Sequence, residues 1–127
     1  MSMSELIEVT TQLVEMRKKP GTQERFKSYP ALLKRFQELI ADCEEPALLE
    51  QVIALDSGYF LLAGYRQQTL ERLLMLSRTP QNLRAYALQL ELFGDVDNFG
   101  EADLEIDERV AALYREADQL AASSGSA

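Results

Sequence analysis

The chain has 127 residues, 46% of them apolar, so it is long enough to form one domain with a substantial core. Its net charge of −8, from 21 acidic and 13 basic residues, argues against general binding to nucleic acids, because contacts with phosphates require a basic field. The chain contains no histidine, which removes the commonest general base and the usual nitrogen ligand of zinc.

Two helices are predicted in the first third of the chain. The first begins after Ser4, a plausible N-cap, and ends near Lys18, since its apolar residues recur at three- and four-residue spacing until Pro20-Gly21. Residues 22 to 29 are polar and poorly periodic, and they predict a loop or a short helical turn. Pro30 suits the first position of the second helix.

The middle of the chain predicts a helical hairpin. A broad apolar helical face runs from residue 47 to about residue 63 and is interrupted only by Asp56-Ser57-Gly58. Either the helix breaks there, with a polar residue of this tripeptide capping a new helix, or the small residues permit close packing of helices. The second alternative is favoured. Gly64 is then predicted to turn the chain into a helix that ends near Arg78.

Two more helices complete the prediction. Thr79-Pro80 combines a capping hydroxyl with proline at the first helical position, and the helix continues to Gly94. Residues 95 to 108 contain seven acids and no base, and they are predicted to form a solvated connection to the last helix. A single all-α domain of about six helices is expected over residues 1 to 122, with a flexible C-terminal tail at residues 123 to 127.

Two sets of four residues share the pattern large, small, large, glycine at the same spacing. They are Ile53, Ser57, Phe60 and Gly64, and Leu83, Ala87, Leu90 and Gly94. Pro46 and Pro80, 34 residues apart, each open an apolar helical stretch. This pattern resembles the tetratricopeptide repeat, and the resemblance implies a stack of antiparallel helical hairpins. An irregular helical bundle is the alternative fold.

A stack of this kind presents a concave groove formed by the first helix of each hairpin, which takes a helix or an extended peptide of another protein. The resemblance implies groove positions in two hairpins. These are Gln51, Leu61, Leu62, Gln81, Arg84, Leu88, Glu91 and Leu92. The alternative for the leucines is a place in the core.

The acids of residues 95 to 108 form a candidate acidic patch. They are Asp95, Asp97, Glu101, Asp103, Glu105, Asp107 and Glu108. The patch is either a docking strip for a basic partner or a solvated segment whose acids are favoured near a helix N-terminus. A basic cluster lies near the first predicted turn and comprises Arg17, Lys18, Lys19, Arg25 and Lys27. The opposite signs of the two clusters also permit head-to-tail self-association.

Neither catalysis nor a cofactor is predicted, since there is no glycine-rich phosphate loop and no nucleophile elbow. The segment from Asp95 to Gly100 resembles a calcium loop, but Phe99 and Ile106 stand where oxygen ligands are required, so no metal site is predicted. Cys43, the only cysteine, is expected to be buried and inert. A lone cysteine favours a reducing compartment. No secretory signal or membrane-spanning run is visible, so cytoplasmic localisation without membrane contact is expected.

The first functional hypothesis is a non-enzymatic protein–protein interaction module, a small adaptor or chaperone that holds a segment of a partner protein. The alternative is an acidic inhibitor or immunity-type protein that masks a basic surface of its target. A third hypothesis is a structural bundle that dimerises through an exposed helix, so a homo-oligomer is possible.

Overall fold

A computed structural model describes residues 2–18, 23–96 and 103–125. The described residues form six α-helices and no strand, which confirms the all-α class and the expected number of about six helices. The helices are α1 (Ser2–Lys18), α2 (Gln23–Asp42), α3 (Pro46–Leu55), α4 (Ala63–Leu76), α5 (Pro80–Phe93) and α6 (Asp103–Gly125). None of these six is both long enough and apolar enough to cross a bilayer.

The beginning of α2 corrects the prediction of a loop. The helix starts at Gln23, so Pro30 lies inside it and not at its first position. Tyr29, directly before this proline, packs against the core formed by α1, α2 and α3. That tertiary contact favours a helix that continues through Pro30, although proline lacks the N–H that the helix requires there. The start of α1 also differs, because the helix begins at Ser2 and Ser4 is not its cap.

Replacing Pro30 by alanine is expected to raise the free energy of unfolding by about 1–2 kcal/mol, because the exposed site regains a helical hydrogen bond. The greater freedom of the unfolded chain offsets only part of this gain. Urea denaturation followed by circular dichroism measures the change. Pro80→Ala is the matched control, since Pro80 occupies the first position of α5, where proline is favoured. An equal gain from both substitutions would contradict the explanation.

In the connection between α3 and α4 the helix breaks, as the less favoured alternative expected, but the new helix begins only at Ala63 and no residue of the tripeptide caps it. α3 ends at Leu55 and the helix breaks at Asp56-Ser57-Gly58, while Gly64 is the second residue of α4 and not a turn. The first set of repeat positions is therefore divided between α3, the connection and α4. The second set lies on one helix: Leu83, Ala87 and Leu90 are buried in α5, and Gly94 follows its end.

Both ends of α5 confirm the prediction from sequence. The Thr79 hydroxyl oxygen accepts a hydrogen bond from the N–H of Asn82 at 3.2 Å, and Pro80 occupies the first helical position. Gly94 has a φ of 71°, a left-handed value that favours glycine. The local sequence alone is therefore sufficient to predict where α5 begins and ends.

Two clusters of buried apolar side chains form the core, and α4 contributes to both. The first cluster joins α1, α2 and α3 and includes Leu73 of α4. The second joins α5 and α6 and includes Leu70 and Leu74 of α4. Helices α1 and α2, α3 and α4, and α5 and α6 pack as consecutive pairs, while α1 also contacts α3, α2 contacts α4, and α4 contacts α5.

Three further sequence predictions differ from the structure. α6 begins at Asp103 and reaches Gly125, so residues 103–108 are helical and not a connection, and residues 123–125 of the predicted tail are also helical. Cys43 is partly exposed and lies just after the end of α2 at Asp42. Its backbone carbonyl accepts a hydrogen bond from Arg72 Nε at 2.9 Å. Its thiol lines a cavity of about 340 Å³ together with residues of α1, α2 and α3.

Candidate interaction surface

Exposed apolar side chains concentrate in two segments, the end of α3 with the connection to α4 and the second half of α5. They are Leu55, Tyr59, Leu62, Leu88, Leu92 and Phe93. The rings of Tyr59 and Phe93 lie with their centroids 6.1 Å apart, which places the two segments side by side. We call Tyr59 and Phe93, with the adjacent Leu62 and Leu92, the aromatic edge.

A buried carboxylate holds the connection in place. Asp56 is fully buried, and its Oδ1 accepts hydrogen bonds from the N–H groups of Phe60 at 2.6 Å and Leu61 at 2.9 Å. Arg66 of α4 donates from one guanidinium nitrogen to Asp56 Oδ2 at 3.1 Å and to the Asp56 carbonyl at 2.9 Å. These bonds satisfy the backbone where α3 ends and fasten the connection to the first turn of α4.

Tyr59 is displayed in an uncommon backbone conformation. Its φ is 60°, in the left-handed region that bulky residues rarely adopt. The Arg66 guanidinium lies over the Tyr59 ring, 4.5 Å from its centroid, so the same arginine joins the buried carboxylate to the exposed ring. Backbone strain of this kind costs about 1–3 kcal/mol and occurs most often at functional sites.

Gly58 makes this turn possible because the Phe60 ring lies against its Cα. A Cβ at position 58 would collide with that ring. The glycine therefore permits close approach of a side chain from its own turn, and not the packing between helices that the sequence analysis favoured. Phe60 in turn packs against the first core cluster.

The structure places one of the predicted groove residues in the core and the others at the surface. Leu61 is buried in the first core cluster, so its assignment to the groove was wrong. The chain is not helical at this point, and the next residue, Leu62, is exposed. The remaining predicted groove residues are all exposed, namely Gln51, Gln81, Arg84, Leu88, Glu91 and Leu92.

Two of the predicted groove residues on α5 contact α6. Arg84 pairs with Asp118 at 3.0 Å. Glu91 forms a hydrogen bond with the Tyr114 hydroxyl on α6, and partial burial together with this bond raises the pKa of Tyr114. The spacing of Arg84, Leu88 and Glu91 correctly predicted a common exposed face, but α6 borders this face.

The acidic patch is also divided. Asp95 is mostly buried, and its carboxylate accepts hydrogen bonds from Gln67 and Arg109, both at 2.9 Å, so it is not a solvated docking charge. Asp97 and Glu101 lie outside the described residues. Four acids are exposed in the first turns of α6 and are called the acidic turns: Asp103, Glu105, Asp107 and Glu108.

Sequence reasoning missed a polar network between α4, α5 and the segment after α5. The fully buried Gln67 donates to Glu71 at 3.3 Å as well as to Asp95, and accepts from the N–H of Val96 at 3.2 Å. The Tyr86 hydroxyl donates to Glu71 at 3.1 Å. Burial, followed by the charge of Glu71, raises the pKa of Tyr86. Two glutamines are adjacent at positions 67 and 68, and only the packing of the helices distinguishes the buried one.

The basic cluster lies partly against the connection. Arg17 Nε donates to the Phe60 carbonyl at 3.0 Å, and Lys18 Nζ lies 5.4 Å from the centroid of the Phe60 ring. Lys18 also pairs with Glu15 at 3.6 Å. Lys27 is exposed, whereas the side chains of Lys19 and Arg25 lie outside the described ones.

Within the described ranges, no three side chains of the types that bind metals come close enough to hold an ion. Comparison of the chain with known protein families, with curated proteins and with solved structures finds no match.

Proposed function

We propose that the chain is a non-enzymatic protein–protein interaction module, an adaptor or chaperone that holds a segment of a partner protein on the aromatic edge. The observation that carries the proposal is the contact between Tyr59 and Phe93, which expose 41% and 43% of their surface although they pack on each other. Aromatic side chains that are large, exposed and rigidly held are the usual centres of binding energy in protein interfaces.

The support beneath Tyr59 strengthens this proposal. A buried ion pair costs desolvation energy and is weak support for stability alone, whereas here it fixes the position of an exposed ring. An anchor that is already ordered loses little conformational entropy when it binds. The proposed function therefore assigns a reason both to the strained turn and to the ion pair.

The contacts between helices are consistent with a stack of hairpins resembling the tetratricopeptide repeat. Consecutive helices form pairs, and each pair touches the next through α1 and α3, α2 and α4, or α4 and α5. Such a stack is an extended surface that holds protein segments. We place this activity in the cytoplasm, because a chain with a single cysteine suits a reducing compartment.

Replacing Tyr59 and Phe93 together by serine is expected to weaken capture of the partner at least tenfold, since truncating a central aromatic residue costs about 1–4 kcal/mol of binding. Quantitative mass spectrometry of proteins retained from native lysate on wild-type and variant chains measures this effect. Met75→Ser is the matched control: Met75 is 76% exposed near the opposite end of α4. Equal losses for the double variant and the control would contradict the proposal.

The second candidate function, an acidic inhibitor, is favoured by a separate observation. The acidic turns are exposed, and Leu104 among them exposes 70% of its surface. Under this alternative, the combined change Asp103→Asn, Glu105→Gln and Asp107→Asn releases the partner, and added salt weakens capture by the wild-type chain. Release by the triple change that Tyr59→Ser with Phe93→Ser does not reproduce favours this alternative, whereas release by that double variant favours the aromatic edge.

A further inference from the structure

We propose that the partner that fits the aromatic edge is a second copy of this chain, related to the first by a two-fold axis through the edge. This inference rests on the proposed function, because it uses the same surface, and it names the occupant. Charged and apolar groups follow one another along this surface in an order that a second copy can match.

Bases lie on one side of the aromatic edge. Arg17 and Lys18 are exposed at the end of α1, and both contact Phe60, the residue next to Tyr59. The hydrogen bond from Arg17 to the Phe60 carbonyl fixes the end of α1 beside the connection. The positive charges are therefore held at a constant position relative to the Tyr59 ring.

Acids lie near the Phe93 end of the edge. Phe93 contacts Tyr59, and the next residue, Gly94, is so close to α6 that a Cβ there would lie 3.8 Å from Cδ1 of Ile106. Ile106 is flanked in sequence by Glu105 and Asp107, both exposed. The order of contacts from α1 to α6 is thus basic, aromatic and acidic, with the two exposed rings in the middle.

A two-fold rotation makes this order complementary to itself. When a second copy is rotated about an axis at the edge, its acidic turns face Arg17 and Lys18 of the first copy, and the reverse contact forms at the other end. The aromatic pairs meet in the middle. Two-fold interfaces require such self-complementarity, because every contact between one copy and the other is repeated with the two copies exchanged. An unrelated partner would need the same polar order independently, whereas a second copy has it by symmetry.

Charge reversal in two separate variants tests this arrangement. The first variant carries Arg17→Glu and Lys18→Glu, and the second carries Asp103→Lys, Glu105→Lys, Asp107→Lys and Glu108→Lys, which makes the whole of the acidic turns basic. Sedimentation velocity over a range of about 1 to 200 μM is expected to show a dimer for the wild-type chain and a dissociation constant at least tenfold higher for each variant alone. An equimolar mixture of the two variants is expected to restore the dimer, because each acidic face then meets a basic one.

Two further variants complete the design. A chain with all six reversals exchanges the signs of the two ends and is expected to dimerise like the wild type. The control variant carries Lys34→Glu and Arg115→Glu, two exposed bases outside the basic cluster. This control changes the net charge as much as the first variant does, and it is expected to keep the wild-type dissociation constant.

A wild-type chain that stays monomeric throughout this range overturns the inference, and so does a dimer that none of the reversals weakens. Failure of the mixture to restore the dimer overturns the two-fold arrangement. If the dimer is absent while Tyr59→Ser with Phe93→Ser still releases a different protein, only the inference fails and the proposed function stands. If that double variant affects neither binding nor dimerisation, both proposals fail.

Discussion

Replacing Asp56 by alanine is expected to lower the free energy of unfolding by about 3–5 kcal/mol, the range for removing one partner from a buried ion pair. The carboxylate is fully buried and accepts the N–H groups of Phe60 and Leu61. Its removal leaves these two donors and the Arg66 guanidinium without the acceptor that now satisfies them. The effect is therefore expected to exceed that of any other polar side chain described here.

Urea denaturation of the wild-type chain, Asp56→Ala and Glu5→Ala measures this effect. Glu5 forms two hydrogen bonds of 2.6 Å with Arg35 on the surface, so its removal deletes an even shorter ion pair without stranding a buried charge. A much smaller loss is expected for Glu5→Ala, because water solvates the released arginine. Equal losses for the two variants would show that burial of Asp56 is not the source of its effect.

A double variant separates the ion pair from the capping of the backbone. Arg66→Met removes the charge that Asp56→Ala leaves without a partner, so the combination is expected to be less destabilising than the sum of the single changes. The loss that persists in Asp56→Ala on the Arg66→Met background reports the hydrogen bonds to the connection. If the single losses simply add, the arginine is not coupled to the carboxylate.

Replacing Gln67 by alanine is expected to cost about 2–3 kcal/mol of unfolding free energy, because it leaves buried hydrogen-bonding groups without a partner. Gln67 is fully buried and joins Asp95, Glu71 and the N–H of Val96. These groups connect α4 to the segment that follows α5. Loss of the amide is therefore expected to loosen that segment as well as to destabilise the fold.

The neighbouring Gln68→Ala is the matched control for this prediction. Gln68 has the same chemistry on the same helix, but its amide makes an exposed contact of 3.3 Å with the Gln37 carbonyl. Urea denaturation is expected to show a loss below about 1 kcal/mol for Gln68→Ala, in the range of an exposed hydrogen bond. Hydrogen exchange of the Val96 amide is expected to accelerate in Gln67→Ala only. Similar stability and exchange in the two variants would refute the assigned role of Gln67.

The residues of the candidate surface show where prediction from sequence succeeded. The spacing of Arg84, Leu88 and Glu91 predicts a common face of α5, and all three are exposed. Leu62 and Leu92, which the resemblance implied as groove positions with the core as the alternative, are exposed. Tyr59 and Phe93 themselves were missed as binding residues, because an isolated aromatic residue in an apolar stretch predicts core as readily as surface.

The sequence by itself determined the all-α class and the bounds of α5, because apolar periodicity, the Thr79-Pro80 start and Gly94 act within a few residues of one another. Only the tertiary structure decided three other features: the helix at Pro30, the break at Asp56 and the burial of Asp95. Each depends on a residue distant in sequence. The Tyr29 contact with the core, the Arg66 guanidinium and the Gln67 amide stabilise conformations that local preference disfavours, and such contacts exist only once the helices have packed.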